Sequence, residues 1–253
     1  MACTRERITA LLSWRPMIVR ATALALIGSV TIGCDNLFGR HYHWFQKLTV
    51  LVDTPSGPKS GIAVIEVKAE YYKKGTYIGN AARMNISGEA GVIEISPGRY
   101  LFVLLKGFNQ STAFSTLIPR SPPAEKSATA ESARFAAMQT FETAITTMPL
   151  PPSLYPVFAT FRDIADPATL VVVDPQNLAR EFGTGVQLAS VALTVSPQET
   201  VADKVQRILP WLESVGQQRG SVVPTRKQFE SELTSAEKVR PSDFITFDRW
   251  RHE

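Results

Sequence analysis

Cysteine is nearly missing from this chain: 253 residues contain two, Cys3 and Cys34, both close to the N-terminus. From residue 35 onward there is no thiol, which excludes a disulfide framework, a cysteine zinc site and a cysteine nucleophile from that part. Histidine is almost as scarce, with His41, His43 and His252 alone. The usual general base and commonest metal ligand is thus absent from the long middle of the chain. His41 and His43 fall on one side of an extended segment with no further ligand nearby except Asp35, whereas a catalytic zinc takes three protein ligands. They read as surface histidines, and no metal is expected. No G-x-S-x-G, C-x-x-C, H-E-x-x-H or G-x-G-x-x-G pattern follows Cys34, so no cofactor is expected either.

Clustered charge of one sign is lacking too. The chain has 27 Lys and Arg against 23 Asp and Glu, but Arg5, Arg7, Arg15 and Arg20, offset by Glu6 alone, precede Cys34. The 220 residues from Cys34 on carry 23 basic and 22 acidic side chains, well scattered. Nucleic-acid binding, which needs a basic face, is set aside. The N-terminal apolar run is also short: Ala21 to Gly33 is 13 residues, while a helix crossing the hydrocarbon needs about 20.

What is present at this end is an ordered signal. Arg15 and Arg20 lead into the apolar run, and small residues precede Cys34, the pattern of a secretory signal peptide. Thr31-Ile32-Gly33-Cys34 resembles the lipobox of bacterial lipoproteins, with Thr31 where that family usually has Leu, Val or Ile. The resemblance implies acylation of Cys34 on sulfur, cleavage just before it, and attachment to a lipid bilayer through that residue. Residues 1–33 are then the signal peptide, with Met17 as a compact alternative start, and residues 34–43 a lipidated tether. Asp35 directly after the cysteine resembles the signal for inner-membrane retention, which implies a protein facing the periplasm from the inner membrane.

Beyond the tether, alternation dominates. Segments 45–53 and 62–72 flank a Pro/Ser/Gly loop, and in the second of them Ala63, Ile65, Val67 and Ala69 oppose Glu66, Lys68 and Glu70. Further strands are expected at 81–87, 91–96 and 99–106, divided by Ser87-Gly88 and by Ser96-Pro97-Gly98, where Pro presets φ and Gly accepts a positive one. The order V-x-V-D-T-x-x-G-x-x-x-S-G followed by G-E-A-G-V-I-E-I-S-P-G-R-Y-L-F, over residues 48–105, resembles carboxypeptidase-regulatory and transthyretin-like β-sandwich modules. That resemblance implies a structural or binding module with no catalytic residues. Pro, Ser and Ala at 118–130 read as a linker. Phe135, Met138, Phe141 and Ile145 then recur at helical spacing over 131–147, a core-facing stripe. The remainder predicts strands at 156–161, 169–173 and 186–195 and helices at 176–182, 200–215 and 225–238. The stretch from Val157 to Pro197, with ILPWL at 208–212, also resembles segments of uncharacterised bacterial membrane-anchored proteins, which implies no function. The expected fold class is α+β: an N-terminal antiparallel β-sandwich-like module at 44–117, then a helix plus α+β unit at 131–253.

Three carboxylates cluster in sequence, Asp163, Asp166 and Asp174, and paired carboxylates can hydrolyse glycosides. Asp166 and Asp174 each precede Pro, as helix caps do. Gly183-Thr184-Gly185 follows a short helix instead of leading into one, which suits a C-cap better than a phosphate cradle. Trp44, Trp211 and Trp250 are candidate stacking platforms or core residues. The expected function is a membrane-anchored lipoprotein with a non-enzymatic structural or binding role in the cell envelope, partnered by the bilayer and by an envelope protein. The alternative is a tethered hydrolase using Asp163, Asp166 or Asp174.

Overall fold

Period-two alternation runs unbroken through the first strand. In β1 (Arg40–Asp53), Tyr42, Trp44, Gln46, Leu48, Val50 and Val52 are buried, and the residues between them are not. The computed structural model describes residues 40–71, 82–117, 128–200, 204–216, 220–227 and 229–246; Cys34, and with it the signal and the anchor, lies outside them. The tether expected at 34–43 therefore already contains strand from Arg40. β2 (Lys59–Tyr71) buries Ala63, Ile65, Val67 and Ala69, the face its alternation predicts.

Two antiparallel sheets follow from these and eight further strands: β3 (Ala82–Glu89), β4 (Gly91–Ser96), β5 (Arg99–Val103), β6 (Thr146–Pro149), β7 (Phe158–Phe161), β8 (Leu170–Val173), β9 (Gln187–Ser196) and β10 (Ile245–Thr246). The first sheet has the order β10-β3-β2-β1-β9-β6 and the second β4-β5-β7-β8. Five α-helices lie among the described residues: α1 (Ser111–Leu117), α2 (Ala128–Thr143), α3 (Ala179–Phe182), α4 (Lys204–Ile208) and α5 (Leu212–Gly216).

This order overturns the α+β expectation of a β-sandwich-like module followed by a separate α+β unit. β9 pairs with β1, Leu48 opposite Leu193 and Val50 opposite Val191. β7 pairs with β5, Phe102 opposite Ala159, and β10 pairs with β3, Ile245 opposite Glu89. Every strand of the second half thus enters a sheet begun by the first half, and the fold is a sheet-rich structure with short helices. Alternation reveals a strand's faces but not its neighbour, and for β1 and β3 the neighbour lies more than a hundred residues away.

The two sheets meet at a corner. Ser87-Gly88, expected to turn, is ordinary strand, and only Ala90 separates β3 in one sheet from β4 in the other. Strands that switch sheets by such a bend make the corners of orthogonally packed sandwiches. At Gly61, on β2, a Cβ would come within 2.7 Å of the Val92 carbonyl oxygen and closer still to Ile93 Cγ1, so the crossing needs glycine there.

The second sheet is buried on both faces. Val92, Phe102, Leu104, Ala159, Phe161 and Leu170 pack with Val205 and Leu209 of the α4 region, Leu212 of α5, and Val222, Val239 and Phe244. Ile93, Ile95, Leu101, Val103 and Phe158 are buried on the opposite side. That is why 101–105 reads as a continuous apolar run instead of an alternating one. The segment covering the outer face is tied on by backbone: the amides of Ala90 and Leu105 donate to Phe244 O and Asp243 O at 2.8 and 2.7 Å. Helix 200–215 is split into α4 and α5 around Pro210, which lacks the amide a continuous helix needs. In place of helix 225–238 there is a 3-10 turn, Glu230–Glu232, and a turn at 235–238 in which Thr234 and Glu237 each bond the other's amide.

Three outcomes are expected. A fragment of residues 42–120 removes β9 from β1 and β7 from β5, and circular dichroism should show no cooperative thermal transition; a sharp one would restore the separate module. Gly61→Ala should cost about 1–3 kcal/mol in urea unfolding through overpacking at the corner. Gly98→Ala, at φ +74° in open space, should cost about 1 kcal/mol, from backbone strain alone.

Candidate functional site

A polar cluster joining three strands lies on the outer face of the six-stranded sheet. Glu66 of β2 has one oxygen, Oε1, 2.8 Å from His43 Nε2 of β1 and 3.1 Å from Lys68 Nζ. Its other oxygen accepts from Ser87 Oγ of β3 at 2.8 Å. Three adjacent strands are pinned through one carboxylate, which is 16 % exposed. Partial burial raises the Glu66 pKa, but hydrogen bonds from Ser87, Lys68 and His43 and the Lys68 charge outweigh it and hold the carboxyl below its ordinary value. An ionised carboxylate only accepts, so His43 Nε2 is the donor. The His43 ring also stands beside Phe45, 5.1 Å between centroids, and its backbone amide donates to Glu142 Oε1 of α2 at 2.7 Å.

Chemically this is a carboxylate saturated by donors. Ser87 donates its hydroxyl to Glu66, but a carboxylate that also accepts from His43 and Lys68 and is held below its ordinary pKa is a weak base toward a hydroxyl. No motif announces the cluster, because its members are single residues on three strands and meet only through sheet register. A second carboxylate, Glu237, is held down to about 2 by Lys227, by the Thr234 amide and hydroxyl, and by Thr225. It organises a turn, with Lys227 Nζ at 2.7 Å.

Of the three aspartates flagged by sequence, Asp163 and Asp166 share one turn, the Asp166 amide donating to Asp163 O at 3.1 Å, and Asp174 stands at the far end of β8. Asp163 Oδ1 accepts from the Ala165 amide, Asp166 Oδ1 from Ala168 and Asp174 Oδ1 from Gln176, each at 2.9 Å. All three are exposed. Asp166 caps the 3-10 turn at one end of β8, and Asp174 follows its other end. Four extended residues place roughly 13 Å of strand between the ends, whereas glycosidase carboxylates stand about 5–9.5 Å apart. Gly183, at φ +97°, donates to Ala179 O and ends α3 as a C-cap.

His41 is exposed, and His252 and Trp250 lie outside the described residues. Among the described residues no three His, Cys, Asp or Glu side chains are placed to hold a metal ion. Trp211 donates its indole N–H to Ile164 O at 2.9 Å and packs against Phe161. Trp44 is fully buried and offers no stacking surface to solvent. Ile145, expected on the core stripe of the helix, lies beyond the end of α2 and is 74 % exposed.

Glu66→Gln is the test of the cluster. A carboxyl whose folded pKa is depressed stabilises the fold above its ordinary pKa, and that contribution is lost as pH falls through the folded value. The variant should be less stable by about 1–2 kcal/mol at pH 7, and the gap should close as the pH is lowered through the acid range below 4.5, followed by urea unfolding at each pH.

Against protein-family models, curated proteins and solved structures, the chain gives no significant match.

Proposed function

We propose that this protein is an exported lipoprotein, anchored to a membrane by acylated Cys34, with a non-enzymatic structural or binding role in the cell envelope. One observation carries the reading: a 13-residue apolar run, preceded by Arg15 and Arg20, ends in Ile32-Gly33-Cys34. It has the order of an export signal and stops short of a membrane-spanning length. Six residue steps from Cys34 to Arg40, where β1 begins, reach at most about 22 Å. The sheet domain therefore works close to the bilayer, on the periplasmic side, with Asp35 favouring the inner membrane. Its partners are the lipid and a neighbouring envelope protein.

The non-enzymatic part of the reading is supported by what the aspartates do. Asp163, Asp166 and Asp174 each place Oδ1 on a backbone amide two residues on, the work of turn caps, which favours the non-enzymatic reading over the hydrolase alternative.

Cells grown with labelled palmitate should label the wild type and not Cys34→Ala, and the variant should leave the membrane fraction. Undiminished labelling of Cys34→Ala overturns the anchor. Recovery in the outer-membrane fraction alone overturns the inner-membrane assignment and leaves the anchor standing.

A further inference from the structure

Among the described residues each sheet has two edge strands, and three of these edges are blunted. β10 is only two residues long. In β6 the Leu150 amide bonds Val191 O across the sheet, so alternation turns Thr147 and Pro149 outward, and Pro149 has no amide to offer. β4 is overlain by β2, where a Cβ at Gly61 would stand 2.7 Å from Val92 O. Short length, proline and cover are the usual protections of a strand edge. β8 differs: Leu170-Val171-Val172-Val173 is four residues in regular register with β7, without charge or proline.

Register decides which groups of β8 point outward. The Arg162 amide donates to Thr169 O, and bonded and non-bonded positions alternate along an antiparallel pair. Val171 and Val173 therefore bond Thr160 and Phe158, while Leu170, Val172 and Asp174 turn their backbone away from β7. Two of the outward groups are satisfied locally: the Leu170 amide donates to Pro167 O, and Asp174 O accepts from the Asn177 amide. Among the described residues nothing bonds Leu170 O, Val172 N, Val172 O or the Asp174 amide. These groups stand in a row along residues 170–174, at the spacing that one added antiparallel strand fills.

Charge indicates the kind of strand. Asp163 and Asp166 precede β8 and Asp174 follows it, all exposed, and Arg162 is the one basic residue between Phe158 and Asp174. A second copy of this chain, laid antiparallel on the same edge, would set Asp174 beside the partner's Leu170 and the aspartate turn that precedes it, like charge against like. A segment with basic ends meets the opposite sign at both ends of β8.

We propose that the free edge of β8 is a docking site for an extended segment of another protein, apolar in its middle and basic at its ends, added as a fifth strand of the second sheet. Backbone bonds set the direction and register of the segment, and the aspartates select its ends. The proposal rests on the binding role proposed above but not on the anchor at Cys34.

The test uses the full chain carrying Cys34→Ala, so that failure here leaves the palmitate result untouched, and a blocked synthetic peptide in which lysines flank valine, threonine and valine. Amide resonances followed at millimolar peptide should shift saturably at Val172 and Asp174, with slowed hydrogen exchange at Val172. Val172→Pro removes an amide that bonds nothing within the fold, so Tm should fall by no more than a few degrees while the peptide binds about tenfold more weakly. A peptide with glutamates in place of the lysines should bind about fivefold more weakly, and the gap should close at about 1 M salt, where the screening length is about 3 Å. Asp174→Lys should narrow the same gap and serves if Val172→Pro misfolds. No shift at Val172, equal binding by Val172→Pro, or equal binding of the two peptides overturns the proposal. Protection of the Val172 amide that rises with protein concentration in the absence of peptide also overturns it, by assigning the edge to a second copy.

Discussion

The pairing of β1 with β9 is the contact on which the remaining architecture depends. β1 is an interior strand whose inner face supplies Leu48, Val50 and Val52 to the core, and it has no second neighbour until residues 187–196 arrive. β6 reaches the sheet only through β9. Closing a loop of that length costs conformational entropy that grows only as the logarithm of its length, but the cost falls due before any cross-strand contact can repay it. A nascent chain therefore holds β1 with one edge uncovered until nearly four fifths of it has been made.

Local signals in the sequence were legible where a residue's own conformation decides the outcome. Pro97-Gly98 makes the turn between β4 and β5, with Gly98 at φ +74°, and Asp166 caps the 3-10 turn that follows it; Asp174, read as the cap of a helix at 176–182, instead bonds the Gln176 amide in a turn ahead of that helix, which begins at Ala179. Gly183 ends a helix. The alternation of β2 assigns its inward face correctly. Signals failed where a distant partner overrides local preference. Ser87-Gly88 has turn chemistry, yet β2 beside it holds those residues extended through the corner. KQFESELTSAEK reads as helix, but Val222 and Val239 are claimed by the four-stranded sheet's outer face, and the chain between them folds into capped turns.

The polar clusters divide along the same line. Asp163, Asp166 and Asp174 act within two residues of themselves, and for Asp166 and Asp174 the proline that follows made a capping role visible. Glu66 draws on residues 23 and 21 positions away, and Glu89, buried in the core, accepts from the Val205 amide at the start of α4, 116 residues on. Both join elements whose proximity exists only after the sheet has formed. A buried acid that accepts a helix-terminal amide satisfies an orphan donor and meets the positive end of the local backbone dipoles at once.

β1 extends past its neighbour: β9 stops opposite Phe45, and the edge beyond is met at His43 by the Glu142 carboxylate. A protruding strand edge invites foreign strands, and a charged cap discourages them. The same strand is the one that leads toward Cys34, so in a tethered protein any pull from the membrane enters along its axis. The rungs joining β1 to its neighbours lie across that axis and share the load in shear, so that they must yield together.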